Sequence, residues 1–380
     1  MAEIKDIKEV TVFCEQGDSS LLSTWSNVPY FLTNTLIKHG IKVNRVNLSP
    51  NAYLPHKIFY KLWNAFVKGV LRRKLCPTYR RSSIYFFLSR LKINREVKRY
   101  SNSDLFLFTS FSFPDRKISD KPVVIFCDWT AEYDYRIIKG MDTGALPSFD
   151  KAFIDRQRLC FQIADYAVTL FPGVAEYLRA AYKNPDIRYI GNVVNSMAEP
   201  DSGIIASKER NKEILFIGKR HYKEGAIELI QAFEEVTRYM PDARLNIIGM
   251  DESILGELPD GVTCYGYLAK ENPEQCKTYY RLLSECRLFI NTTPKWAGFS
   301  ACIEAMYYFT PVIVTPYGEF VKTFGKGIGF GTYHSDGNLA GEIISSLSDI
   351  HFRRKALAAH NAVAGMTWDN FVARLLEMVG

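Results

Sequence analysis

The sequence predicts an α/β protein made of two doubly wound, parallel-sheet domains, and three observations carry that expectation. Short apolar or β-branched runs at 10–13, 41–48, 105–108, 123–126, 167–171 and 188–190 alternate with stretches of helical periodicity. The chain then turns polar over 199–211, through Pro200, Asp201, Ser202 and Gly203 and on to Asn211, which is the chemistry of a connection. Beyond it the alternation restarts, and 380 residues with 47% hydrophobic side chains exceed what one core usually holds. The expected organisation is an amino-terminal domain over 1–200, a second domain over 201–365, and a final amphipathic helix within 366–380 that packs across the structure.

In the second half the order reads strand 214–217, helix 226–240, strands 244–248 and 262–265, helix 272–285, strand 288–291, helix 300–309 and strand 311–314. Open parallel sheets bind ligands outside the carboxyl ends of their strands, so the strand-to-helix junctions carry the candidate chemistry. After 214–217, Gly218 permits a tight exit, and Lys219, Arg220 and Lys223 place cations just before a helix that starts near Gly225. Such a helix N-terminus suits a diphosphate, because free backbone N–H groups and the dipole add to the side-chain charge. A solvated basic turn is the other reading of the same residues. After 288–291, the segment from Thr292 through Gly298 and Phe299 leads into a helix near Ser300, with Glu304 one turn inside. A carboxylate there can accept from two vicinal hydroxyls, such as those of ribose, although the helix dipole alone also favours Glu in a first turn. Together the two junctions read as a nucleotide-sugar site.

Composition limits the alternatives. The cysteines at 14, 76, 127, 160, 264, 276, 286 and 302 form no C-x-x-C pair, so neither a zinc site nor a disulfide framework is expected, and a reducing cytoplasm fits. The first fifteen residues carry Glu3, Lys5, Asp6, Lys8 and Glu9 and lack a signal-peptide core, and no run approaches the ~20 apolar residues of a membrane span. There is no Asp-x-Asp; Glu132-Tyr133-Asp134 comes nearest, so no metal site is expected. The six histidines lack a triad-like context, and the glycine-rich 325–331 stretch reads as a surface loop because no clear strand precedes it.

The net charge of +7 is local: residues 57–99 hold thirteen Lys or Arg against one acid, Glu96, which makes this segment about +12. Within it Ile58, Leu62, Ala65 or Phe66, and Gly69 or Val70 recur at helical spacing beside Phe59 and Trp63. A basic, aromatic, amphipathic surface binds anionic lipid headgroups; a core helix pair with a solvated basic face is the alternative. No nucleic-acid module is present, and no nucleic-acid partner is expected.

Several segments resemble the donor domain of retaining GT-B glycosyltransferases of family 4, the glycosyl transferases group 1 type: 214–219 up to Gly225, 229–233, 241–249, 265–267 and 303–306 through 310–313. The resemblance covers roughly 150–378 and includes 165–168 before 174–178. It implies a GT-B fold, two Rossmann-like domains facing a central cleft. It also implies that Lys219 and Lys223 hold the donor diphosphate, with Arg220, Gly218, Gly298, Phe299 and Ser300 around it and Tyr267 on the donor side. By the same resemblance Glu304, matching the second acid of the family's Glu-x7-Glu motif, binds the ribose. This chain departs from the pattern at the first acid, where the position eight before Glu304 is Trp296, and in register, where Glu224 rather than Lys223 aligns with the family's lysine. The family's histidine after the fourth strand is replaced by Cys127 and Asp128, so Asp128 becomes the candidate acceptor base, with a helix or turn cap as its other reading. The loop 15–20 would bring Gly17 to the diphosphate from the other domain.

The expected function is thus transfer of a sugar, of hexosyl type, from a nucleotide diphosphate-sugar to a glycan acceptor, lipid-linked and serving polysaccharide biosynthesis, with retention and without metal or other cofactor. The expected location is cytoplasmic, peripheral on the inner face of a membrane. A noncatalytic GT-B scaffold binding nucleotide or glycan, and a GT-B sugar-nucleotide epimerase, are the alternatives.

Overall fold

The computed structural model describes residues 7–70, 79–293, 298–335 and 337–380. The chain divides into one unit of residues 1–192 with 368–380, and a second of residues 193–367. The polar stretch 199–211 therefore lies inside the second unit. It contains a short helix, Ile204–Lys208, whose Ile205 and Lys208 are both buried.

In the first unit β1 (Glu9–Cys14), β2 (Lys42–Asn47), β3 (Leu105–Thr109), β4 (Val123–Phe126), β5 (Tyr166–Thr169) and β6 (Ile187–Tyr189) form one parallel sheet. Its order is β2-β1-β3-β4-β5-β6. β3 and β4 are buried along their whole length, which is why they read as unbroken apolar runs: helices cover both faces. The order reverses between β1 and β3, so the exits at Glu15 and Ser110 flank the crevice of this sheet. The final helix, Trp368–Val379, returns to this unit. There Trp368 stacks on Phe31 at 6.4 Å between ring centroids, Phe371 lies 5.2 Å from Phe126, and Asp369 pairs with Lys38 at 2.9 Å.

The basic segment begins with the helix Leu54–Ala65, which continues as a π-turn over Phe66–Val70. Its inner side carries His56, whose ring bonds Tyr79 Oη at 2.9 Å and Ser89 Oγ at 3.2 Å, and burial pushes this imidazole down to about 4. Its apolar stripe of Leu54, Ile58, Leu62 and Phe66 faces outward and is exposed, the reverse of an ordinary surface helix. The following helix, Ser83–Arg99, buries Tyr85, Phe86, Leu88, Ile93 and Val97 but also leaves Ile84, Phe87 and Leu91 exposed.

In the second unit β7 (Glu213–Ile217), β8 (Arg244–Ile248), β9 (Val262–Cys264), β10 (Leu288–Asn291), β11 (Val312–Val314) and β12 (Gly331–Tyr333) form a second parallel sheet. Its order, β12-β11-β10-β7-β8-β9, is that of dinucleotide-binding sheets, with the reversal between β7 and β10. β12 was not expected from the sequence; it is three residues long and follows the glycine-rich stretch, with Gly331 so close to β11 that a Cβ would stand 2.2 Å from Val312 O. The helix Lys223–Tyr239 buries Ala226, Leu229, Ile230, Phe233 and Val236, the 3.6-residue stripe that seats it on the sheet. It starts at Lys223 rather than near Gly225, so this lysine belongs to the first turn.

Candidate active site

The exits of β7, β8 and β9 are packed backbone to backbone. The Gly218 N–H donates to Ile248 O at 2.9 Å and the Gly249 N–H to Gly266 O at 2.7 Å. Gly249 has φ +97°, and a Cβ there would stand 2.5 Å from Gly218 O, so only glycine fits. On this frame Lys219 and Arg220 are exposed, and the Lys219 ammonium lies 5.3 Å from the centroid of the exposed Tyr267 ring. The helix behind them opens without a side-chain bond from its N-cap, Tyr222, and its first N–H, that of Lys223, donates to Arg220 O across the preceding 3-10 turn.

The structure places the exit of β10 directly against this turn. A Cβ on Gly225 would stand 2.5 Å from Thr293 Oγ1 and 2.7 Å from Thr293 N, and Tyr222 Oη donates to Gly298 O at 3.4 Å. Thr293 is buried, and its hydroxyl has no hydrogen-bond partner among the described residues. A buried hydroxyl near a helix N-terminus on a turn that carries two cations is chemistry that suits an anion. Sequence reasoning passed over Thr293, because nothing in a Thr-Thr-Pro run marks which hydroxyl will be left unpaired.

Behind this turn Thr292 Oγ1 donates to Glu228, whose other oxygen lies 3.5 Å from His334 Nε2, while His334 Nδ1 lies 2.9 Å from Glu342. Thr315 Oγ1 donates to Thr292 O at 2.8 Å. The loops after β10, β11 and β12 are thereby tied to the helix that carries Lys223.

Two expected donor residues are placed differently from the sequence reading. The Phe299 side chain is fully buried among Tyr317, Phe320 and Phe324, with centroids 5.5 to 6.1 Å away, so only its backbone is available beside Ser300. Glu304 is the fifth residue of the helix Ser300–Tyr307, beyond its first turn, and is buried. Its Oε1 accepts from Lys270 Nζ at 2.7 Å and its Oε2 from Tyr279 Oη at 2.7 Å. The register of the helix turns this carboxylate toward the neighbouring helix Pro273–Glu285, and both oxygens already carry one bond. Trp296 and its neighbours 294–297 lie outside the described residues, as do Arg72, Arg73 and Lys74 of the basic segment.

In the first unit Gly17 lies against Thr24, where a Cβ would be 3.0 Å from its hydroxyl oxygen. The chain then runs through Trp25, Ser26 and Asn27, three consecutive non-glycine residues at positive φ. Trp25 packs 5.7 Å from Phe126 and its indole donates to Asp128, so the loop containing Gly17 and the residue after β4 are joined. Burial pushes the Asp128 carboxyl up to about 7, a value suited to proton transfer at neutral pH. The helix Ala131–Tyr133 that follows is capped by the Thr130 side chain rather than by Asp128. Glu15, at the exit of β1, is also raised by burial, with the Ser110 hydroxyl bonded to it opposing the shift. Among the described residues no group of three or more His, Cys, Asp or Glu is placed to hold a metal ion, and no helix is long and apolar enough to cross a membrane.

Two parallel six-stranded sheets, the second with its ligand-side turns at the β7/β10 reversal, define a GT-B protein. Residues 198–359, within the second unit, match the family model described as glycosyl transferases group 1. Over nearly its whole length the chain is similar to solved GT-B structures. A sucrose-phosphate synthase from Thermosynechococcus elongatus superposes with a TM-score of 0.67 at 15% identity, covering 98% of each chain. WaaG, a glycosyltransferase involved in lipopolysaccharide biosynthesis, gives 0.65 at 14% identity over 97% of this chain and 99% of its own. Anabaena Alr3699/HepE, solved in complex with UDP, gives 0.57 at 14% over the same shares. No curated protein matches the chain by sequence.

Proposed function

We propose that the chain is a glycosyltransferase that moves a hexosyl group, with retention, from a nucleoside diphosphate-sugar to a glycan acceptor carried on a lipid. The observation that carries this reading is the packing of the turn 218–225, which bears Lys219 and Lys223, against Thr293 and Gly298, so that the exits of β7 and β10 meet at one helix N-terminus. Charge develops on the departing diphosphate as the glycosidic bond breaks, and donors fixed in advance at that point lower the barrier. The two lysines and the helix dipole supply the neutralising charge, so the proposed reaction uses no metal. Glu304 is assigned the ribose: each of its oxygens holds one protein bond and keeps a second lone pair for a hydroxyl. Asp128, with its carboxyl near 7, is assigned to the acceptor hydroxyl, where it takes up the proton released on transfer.

The lipid-borne acceptor is supported by the outward stripe of Leu54, Ile58, Leu62 and Phe66 among the basic residues of 57–99, which suits the cytoplasmic, anionic face of a membrane. The test is a transfer screen across nucleoside diphosphate-sugars with lipid-linked glycans in anionic vesicles, reading released nucleoside diphosphate and the anomeric configuration of the product by NMR. Release with retained configuration is the expected result. Donor binding without release under any acceptor would make the chain a noncatalytic scaffold, and a changed sugar still joined to its nucleotide would make it an epimerase.

A further inference from the structure

We infer that Lys270 is a positioning residue for the nucleoside end of the donor, acting through Glu304; this rests on the reading of Glu304 as the ribose carboxylate. Lys270 stands between β9 and the helix Pro273–Glu285, and its Nζ lies 2.7 Å from Glu304 Oε1 and 3.0 Å from Asn195 O. The rings of Tyr279 and Tyr280 flank the ammonium at 4.5 and 5.2 Å. Lys270 and Glu304 side chains are only 8% and 6% exposed, so this is a buried ion pair. Such pairs recover little of their desolvation cost and are often replaceable by apolar residues without loss of stability, which makes this one a poor device for stability alone.

Its geometry fits a different use. A carboxylate meant to accept from two vicinal hydroxyls must present two lone pairs in fixed directions. With Oε1 held by Lys270 and Oε2 by Tyr279, the plane of the carboxylate cannot rotate, and the unused lone pair of each oxygen is fixed in advance. The second N–H bond, to Asn195 O, fixes the ammonium in turn. Removing Lys270 leaves a buried charge without its counterion, and the carboxylate must turn away or take a proton, either of which removes an acceptor from the ribose.

The experiment is calorimetric binding of UDP, GDP and ADP, with the 2′-deoxy and 3′-deoxy forms of whichever binds best, to the wild type, Lys270→Met, Glu304→Gln and the double variant. The wild type should prefer the ribonucleotide by roughly tenfold, the loss expected when a charged acceptor loses a hydroxyl. Lys270→Met should lose most of that preference while keeping its affinity for the deoxy forms, and the double variant should bind no worse than the weaker single variant. Lys270→Arg, which keeps the charge, should recover part of the preference. Tyr279→Phe, which frees only Oε2, should lose an intermediate amount and serves where Lys270→Met does not fold. Full discrimination in Lys270→Met or Tyr279→Phe overturns the inference, as does additive loss in the double variant, which would mean that Lys270 touches the ligand itself. If the wild type shows no preference for the ribose hydroxyls, or Glu304→Gln keeps it, the ribose reading of Glu304 fails first and the inference falls with it.

Discussion

Gly225→Ala separates the packing argument from helix propensity, because the two effects have opposite signs. Alanine gains up to about 1 kcal/mol over glycine inside a helix, less in the first turn where Gly225 sits. Against that, its methyl would stand 2.5 Å from Thr293 Oγ1, 2.7 Å from Thr293 N and 3.0 Å from Thr293 Cα. The last two are backbone atoms, so the exit of β10 must move. Overpacking of this kind costs about 1 to 3 kcal/mol, leaving a net loss between about zero and 3 kcal/mol, and for a unit of this size each kcal/mol lowers the melting temperature by roughly 2 to 4 °C. The functional loss should be larger, since a displacement of about 1 Å in a positioned group can cost on the order of 100-fold. The assay is nucleoside diphosphate binding beside a thermal melt, with Gly327→Ala in the glycine-rich stretch as control, where a Cβ meets nothing within 4 Å. Unchanged binding and melting in Gly225→Ala would refute the claim that the two turns form one site.

Three further outcomes follow from the structure. Leu54, Ile58, Leu62 and Phe66 are 69%, 51%, 58% and 49% exposed; at about 1.5 to 3 kcal/mol for each fully buried side chain, replacing all four by serine should lower partition to anionic vesicles by at least ~100-fold. Part of wild-type binding should survive high salt, and an unaffected quadruple variant would assign the stripe to another partner. Burial pushes the Lys208 ammonium, which bonds Leu283 O at 2.8 Å, from 10.5 down to about 8. Its folded value is the lower one, so the unfolded chain binds more protons between these values; stability should rise with pH across that window by up to roughly 3 kcal/mol, and Lys208→Met should flatten the rise in urea titrations. The Asp128 carboxyl is raised from 3.8 to about 7, so it favours the folded state below pH 4 and loses that contribution as pH rises through 7. Asp128→Asn should therefore melt higher than the wild type at pH 8 but not at pH 3.5, while abolishing the ionisation that limits transfer below pH 7.

The strands were legible in the sequence wherever both faces are covered, because an unbroken run such as Leu105–Thr109 has few other readings. β12 was not, since three residues opened by a glycine carry no periodicity and only pairing with β11 makes them a strand. The spacing of Ile58, Leu62 and Phe66 gave a helix, but not the side of it that meets the protein; buried His56 decides that, and one histidine in a basic stretch gives no warning. At the site, the turn 218–225 and the residues near Gly298 could be read from glycines and cations. The partners of Glu304 could not, because Lys270 and Tyr279 lie 34 and 25 residues away and meet it only through the packing of two helices. Charge counting likewise marked Lys208 as part of a polar connection, whereas the fold buries it completely.

The most direct test of the account is calorimetric titration of the wild type and the Lys219→Ala, Lys223→Ala double variant with UDP, GDP and ADP. The wild type should bind at least one of them at one site per chain. Each lysine supplies a charge-assisted contact worth about 1.5 to 3 kcal/mol, so the double variant should bind at least ~100-fold more weakly with its melting curve unchanged. Wild-type affinity in the double variant, or no binding of any nucleoside diphosphate by the wild type, would contradict the assignment of the turn 218–225 as the diphosphate site.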